Sequence, residues 1–363
     1  MIAFISSNKN KPAVWRDITM NNLLAYSGLT TKVRAMESHL ISSSEYEQLL
    51  NLSSVSEIVG YLQNHPEYRD IFDGVETSEL HRGGLERLLM MSEYKSFAKL
   101  YNFSSVKGRR YLKLYFIKYE TRLLKQLIRE ILDTRTGALD IDFLSLYFDR
   151  FSDINLKKVS VAATLEELIE TLRGSKYYQL LKKIQAIDNV TLFDYEICLD
   201  LFHFQTIWND KNKYLKGKDL EVITDLYGTT IDLLNLQWIY RCKKYYNLTN
   251  ADIYTLIIPI SHKLRKSKLK AIIESDSIAS LSDMLQSTCY YDYGAHDEEI
   301  SLETLYKLVL NRKHTLLMRN NPYSLAAVNY YLHRKHNEIT KLITLTECIR
   351  YSYTPAETKK LIE

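Results

Sequence analysis

Turn-forming residues are scarce in this chain. It has eleven glycines and five prolines among 363 residues, about a third of their combined share in an average protein. A fold of many short strands needs a tight turn every few residues, so the scarcity argues against one. Cysteine is scarce too. Cys198, Cys242, Cys289 and Cys348 lie far apart with no Cys-x-x-Cys pair, which suggests neither a disulfide framework nor a zinc site, and reduced thiols are expected. The longest nearly uninterrupted apolar stretch, Leu256 to Ile260, contains Pro259 and falls far short of the roughly 20 residues that span a bilayer. Charge of one sign is also lacking: 48 basic against 44 acidic residues leave a net +4, a small surplus for a dedicated nucleic-acid binder. There is no Gly-x-x-x-x-Gly-Lys-Ser/Thr run, and the Gly83-Gly84 pair lacks a preceding strand and a Lys-Ser/Thr, so no phosphate-cradling loop is expected. Met1 to Ser6 turn polar too soon for a signal-peptide core, which predicts a cytoplasmic chain.

Helical periodicity is what the chain has instead. From Tyr111 to Leu132 the apolar residues Leu112, Tyr115, Phe116, Tyr119, Leu123, Leu127 and Ile131 fall on one helix face. No two neighbouring segments alternate strictly across a hairpin signal, so the expected class is all-α.

Internal repeats organise these helices. Ser54-Val55-Ser56-Glu57-Ile58 recurs as Thr164-Leu165-Glu166-Glu167-Leu168 and as Ser280-Leu281-Ser282-Asp283-Met284. In each, a hydroxyl at N-cap can accept the N3 backbone N–H while the acid at N3 reaches back to the N-cap N–H. Similar tails follow, ending in Glu67-Tyr68, Tyr177-Tyr178 and Tyr290-Tyr291. A second element places Arg34 and Arg241 equally far ahead of the caps Ser42 and Thr249, and Thr354-Pro355-Ala356-Glu357 repeats the cap near the end, with Pro at N1. Leu124, Leu236 and Leu342 match one another, and Glu120, Asp232 and Glu338 each stand four residues before them. A third element opens a long helix in each module: Leu85-Glu86-Arg87-Leu88, Tyr195-Glu196-Ile197-Cys198 and Leu302-Glu303-Thr304-Leu305.

From Leu29 to Leu342 the first element runs through three periods, giving domain-sized modules. The expected organisation is residues 1–22 as an N-terminal extension outside the repeat, lobes at 23–110, 111–224 and 225–363, and a final copy of the opening helix. Such a copy suits three pseudo-symmetric lobes closing against their own start; three successive bundles without closure is the alternative.

The run Tyr26-Ser27-Gly28-Leu29-Thr30-Thr31-Lys32-Val33-Arg34-Ala35-Met36-Glu37-Ser38-His39-Leu40-Ile41 resembles the opening motif of the C subunit of bacterial and archaeal V-type (A-type) ATPases, the counterpart of the eukaryotic d subunit. Glu45 to Leu50, the Ser54/Glu57 box, Asn235-Leu236 with Arg241 to Tyr246, and Tyr331-Leu332 to Glu338-Ile339 are similar as well. Lys341-Leu342 departs from the family's Asn-Leu, and Glu347 stands where Arg is usual. The resemblance implies a funnel of helical lobes on the cytoplasmic face of the membrane, seated on the proteolipid ring and receiving the central stalk. It implies no catalysis, no cofactor, no small-molecule substrate and no nucleic acid. A free-standing helical adaptor unrelated to ion transport is the competing reading.

His333-Arg334-Lys335-His336 with Glu338 lacks the His-Glu-x-x-His arrangement and reads as surface or packing residues, with no metal expected. Cys242 and Cys348 occupy equivalent repeat positions, as small apolar residues at a helix contact would. Two basic features remain. Lys118, Arg122, Lys125 and Arg129 form one helix stripe, and Lys263 to Lys270 is a dense basic run. Each reads either as a solvated face or as a surface for an acidic partner helix or anionic lipid heads. The stripe is the candidate partner interface.

Overall fold

The computed structural model describes residues 13–76, 80, 82–133, 141–275, 280, 283–284, 286–291 and 301–362, with only the backbone at 13–22 and 82. Every regular element among them is helical. In chain order these are α1 (Ala13–Glu37), α2 (Ser43–Leu50), α3 (Val55–Asn64), α4 (Arg69–Phe72), α5 (Arg82–Phe103), α6 (Val106–Tyr115) and α7 (Ile117–Leu132). Then come α8 (Ile141–Phe151), α9 (Leu156–Val159), α10 (Leu165–Thr171), α11 (Tyr178–Gln185), α12 (Leu192–Tyr214) and α13 (Gly217–Lys244). Last are α14 (Asn250–Leu256), α15 (Lys266–Ile273), α16 (Leu302–Asn320), α17 (Leu325–Arg350) and α18 (Pro355–Ile362).

Local chemistry sets where the short helices begin. At Ser42, Thr164 and Thr249 the hydroxyl accepts the N3 backbone N–H while the N3 carboxylate accepts the N-cap N–H, satisfying two backbone donors that the first turn leaves unpaired. Thr354 and Glu357 make the same two bonds, at 3.3 and 2.8 Å. Ser54 differs in one respect. It caps Glu57 N at 3.2 Å, but Glu57 reaches one residue further back, to Ser53 N at 2.7 Å. The third member of that set, from Ser280 to Asp283, includes Leu281 and Ser282, which lie outside the described residues. The stretch from Tyr111 to Leu132 is broken at Phe116, where α6 gives way to α7. The Phe116 ring there is fully buried, 5.1 and 5.3 Å from the rings of Phe148 and Phe151.

The chain divides into two compact units. One combines residues up to Val106 with those from Leu317 onward; the other runs from Lys107 to Leu316. In the first, Ile41, Leu49, Ile58, Leu62 and Phe72 share a core with Leu342, Leu345 and Ile362 from the far end of the chain. Helix α17 also lies along α1. Thr30 Oγ1 donates to Pro322 O at 2.7 Å, and Glu37 accepts from Tyr330 and Arg334, each at 2.6 Å. In the second unit, Leu236, Ile239 and Cys242 of α13 pack with Ile253, Ile272, Tyr290 and Leu305.

Candidate functional site

Among the described residues, the most heavily bonded buried groups are the three carboxylates at matched repeat positions. Glu120 on α7, Asp232 on α13 and Glu338 on α17 are all nearly inaccessible to solvent, and a charge so placed is tolerable only when donors surround it. Each accepts a tyrosine hydroxyl: Tyr177 to Glu120 at 2.7 Å, Tyr290 to Asp232 at 2.7 Å and Tyr68 to Glu338 at 2.6 Å. Burial first, and the adjacent carboxylate second, hold all three phenols protonated far above their ordinary range.

The remaining donors differ from copy to copy. Glu120 takes Ser152 Oγ at 2.5 Å and the Lys176 ammonium at 2.6 Å. Asp232 takes the backbone N–H groups of His262, Lys263 and Leu264 at 2.8–3.1 Å, a fold-back that presents the basic run outward. Glu338 takes Ile41 N at 2.6 Å and Lys335 Nζ at 3.0 Å. Lys335 is wholly buried, 3.3 Å from Glu67 and 4.1 Å from the centre of the Tyr68 ring. The opening helix has no such acid. Ala25 stands four residues before Leu29, and it is exposed. The carboxylate that completes the first copy therefore comes from the far end of the chain. With their oxygens occupied and shielded from water, these groups fasten chain segments together and offer a substrate no open position.

The basic stripe lies on α7 and faces α12 in part. Lys125 bonds Asp200 through both carboxylate oxygens at 2.9 Å, and Arg129 pairs with Glu196. The charged ends of Lys118 and Arg122 sit 5.9 and 5.6 Å from the ring centres of Tyr115 and Tyr119. Beneath the stripe His203 is buried, and its Nε2 has no hydrogen-bond partner. Burial, reinforced by the charges of Lys118, Lys125 and Lys176, brings its pKa down to about 3.

The basic run is fixed at its start by a second knot that spacing in the sequence did not reveal. Asp225 accepts His262 Nε2 at 3.2 Å and pairs with Lys313, with Lys263 at 3.7 Å. Burial alone would raise the Asp225 pKa, but these bonds and charges outweigh it and hold the group well below the usual carboxylate range. His262 rests directly on Gly228, where a Cβ would come within 2.4 Å of its ring.

His333 lies 3.1 Å from the Asn337 side chain, and His336 Nδ1 lies 3.5 Å from the buried carboxylate of Glu93. The matched Cys242 and Cys348 are both buried, and all four thiols are free. No group of three metal-ligating side chains occurs among the described residues.

Each of the three carboxylates that match in the sequence thus accepts a tyrosine hydroxyl. A family model described as ATP synthase (C/AC39) subunit matches residues 29–361. This chain belongs to that family. The A-type ATP synthase C subunit of Methanosarcina barkeri is 26% identical to it over 340 residues, covering 92% of this chain and 91% of that protein. The A-type ATP synthase C subunit of Methanocaldococcus jannaschii is 22% identical over 364 residues, covering 96% and 89%. That of Pyrococcus abyssi is 23% identical over 344 residues, covering 93% and 90%. As an ATP synthase (C/AC39) subunit the chain is an accessory part of a V/A-type ATPase complex, whose work couples ATP to ion transport. The family match takes in α18 at one end and begins within α1 at the other. No helix among the described residues is long and apolar enough to cross a membrane.

Proposed function

We propose that this protein is the non-catalytic coupling piece of the rotor, seated on the proteolipid ring at the cytoplasmic face and holding the foot of the central stalk. The observation that carries this reading is the family match from residue 29 to 361, which takes in nearly the whole helical body. A part that passes torque must not open along its own seams, and the buried fastening of Glu338 to Ile41 and Tyr68 joins the two ends of the chain. The three lobes of the repeat, 23–110, 111–224 and 225–363, belong to the same reading. Both partner contacts must exceed the roughly 1,000 Å² of a minimal specific interface to avoid slip.

The α7 stripe is assigned to an acidic surface of the stalk. Lys125 and Arg129 already share carboxylates with α12, so the stripe governs docking rate and register while apolar contacts supply affinity. The test is a pull-down of the tagged chain from native membranes, followed by association rates with purified stalk proteins across a salt series. Recovery of the ATPase head, stalk and ring is expected. Recovery of other proteins in their place would favour the free-standing adaptor. Equal low-salt rates for wild type and a Lys118→Glu, Arg122→Glu double variant would remove the stripe from the interface.

A further inference from the structure

We infer that the outer end of α13, with α14 and α15, is a docking surface for an anionic phospholipid bilayer. The surface is built from Lys244, Tyr245, Tyr246, Tyr254, Lys266 and Lys270, all exposed. Tyr245 and Tyr246 are 63% and 68% accessible, a large cost for aromatic rings. Lys244 stands between two rings, 5.0 Å from the centre of Tyr240 and 5.3 Å from that of Tyr245. Tyr254 and Lys270 meet at Glu274, at 3.2 and 3.8 Å. Lys243 Nζ bonds Asn250 Oδ1 at 3.3 Å and Ser275 O at 2.8 Å, tying α13 to the start of α14 and the end of α15, so the surface is one fixed piece.

The end of α17 also reverses through a left-handed residue. Asn247 and Ser352 both take a left-handed backbone conformation, with φ of 47° and 57°, a region that asparagine enters more readily than serine. Leu248 N then donates to Cys242 O at 3.1 Å and Tyr353 N to Cys348 O at 2.9 Å, closing the two helix ends. In each case the tyrosine just before the reversal, Tyr246 or Tyr351, is left about two-thirds exposed. Both helix ends thus leave a tyrosine exposed beside a left-handed residue, with a closing bond that spans six residues at α13 and five at α17.

The chemistry favours lipid heads over other partners. Each exposed aromatic named here carries a hydroxyl on an apolar ring, the combination that settles at the headgroup level of a bilayer. The lysines add attraction to anionic heads, and Glu274 is shared between Lys270 and Tyr254. An acidic protein is the competing occupant and is separated by the test.

The experiment sediments the full-length chain, without other components of the complex, with vesicles of phosphatidylcholine alone or mixed with phosphatidylglycerol. Low-salt binding to the mixed vesicles should exceed binding to neutral ones by about tenfold and fall as salt is added. A Tyr245→Ser, Tyr246→Ser variant and a Lys244→Glu, Lys270→Glu variant, each with an unchanged melting temperature, should bind the mixed vesicles at least about fivefold less. Equal binding to both vesicle types, wild-type binding by both variants, or stronger binding to polyglutamate than to vesicles would overturn the proposal. None of these results bears on the rotor reading, which needs no direct lipid contact.

Discussion

Replacing Glu338 by Gln keeps the side-chain volume but removes the charge that three donors converge on, Ile41 N, Tyr68 Oη and Lys335 Nζ, all within 3.0 Å. The amide's own N–H groups must then face at least one of those donors. Lys335 would be left wholly buried with Glu67, at 3.3 Å, as its remaining carboxylate partner. Taking one partner from a buried ion pair costs about 3–5 kcal/mol. Tyr68→Phe deletes a single bond to a charged acceptor, about 1.5–3 kcal/mol. The unit concerned has about 150 residues, for which each kcal/mol moves the melting temperature by about 2–4 °C. Glu338→Gln should therefore lower that transition by about 6–20 °C and Tyr68→Phe by about 3–12 °C. Because the two groups touch, their double-mutant cycle should show a coupling of about 1–2 kcal/mol. Scanning calorimetry with both single variants and the double variant measures this directly. Tyr177→Phe and Tyr290→Phe, which delete the corresponding bonds to Glu120 and Asp232, should each cost a similar amount. Melting temperatures within about 1 °C of wild type, or a coupling of zero, would refute the view that the carboxylates hold the repeats together.

Thr164→Ala and Thr249→Ala each remove a complete capping box and should cost about 0.5–2 kcal/mol by denaturant titration; no loss at either site would deny the caps a role. Gly228→Ala drives a methyl into the His262 ring at about 1–3 kcal/mol, and His262→Ala in the same chain should restore part of that loss. His203 is neutral in the folded chain, with its pKa held down to about 3 by burial and then by nearby lysines. The unfolded chain takes up this proton below about pH 6.5, so the stabilisation is complete above that pH and is lost as pH falls toward 3. His203→Gln should accordingly flatten the stability profile between pH 6.5 and 4, by up to about 1.4 kcal/mol per pH unit, and an unchanged slope would count against it. Lys125→Glu sets a like charge against Asp200 and should destabilise by about 1 kcal/mol, with Asp200→Lys restoring the pair.

The sequence was legible where structure is local. The capping boxes join residues three positions apart, and pattern alone located them at Ser42, Thr164, Thr249 and Thr354. Spacing also matched Glu120, Asp232 and Glu338, but it was silent on what they bind. Their tyrosines lie 57, 58 and 270 positions away, and pairing over such distances is decided by packing. The stripe shows the same limit. Lys125 and Arg129 read as part of an open basic face because Asp200 and Glu196 are 75 and 67 residues downstream. Gly228 passed unnoticed for a related reason: its partner, His262, comes from a loop that Asp232 folds back. One signal was available for the closing helix. Ala25 occupies the matched position in α1, so α1 has no acid of its own at that position.

That borrowing has a consequence for how the protein is made. Tyr68 leaves the ribosome 270 residues ahead of Glu338, and at about 5–20 residues per second the delay is roughly 14–54 s. Through that interval the segment around Tyr68 is still unfinished, with Ile58, Leu62 and Phe72 lacking the Leu342 and Leu345 side of their core. The second unit, encoded between the two halves of the first, is complete before its predecessor. A ribosome that stops after Leu316 but before the α17 codons thus releases a chain whose exposed apolar surface lies around Ile58 and Phe72 rather than at its broken end. Proteases and chaperones that patrol for exposed apolar segments would recognise the failed product by its first hundred residues.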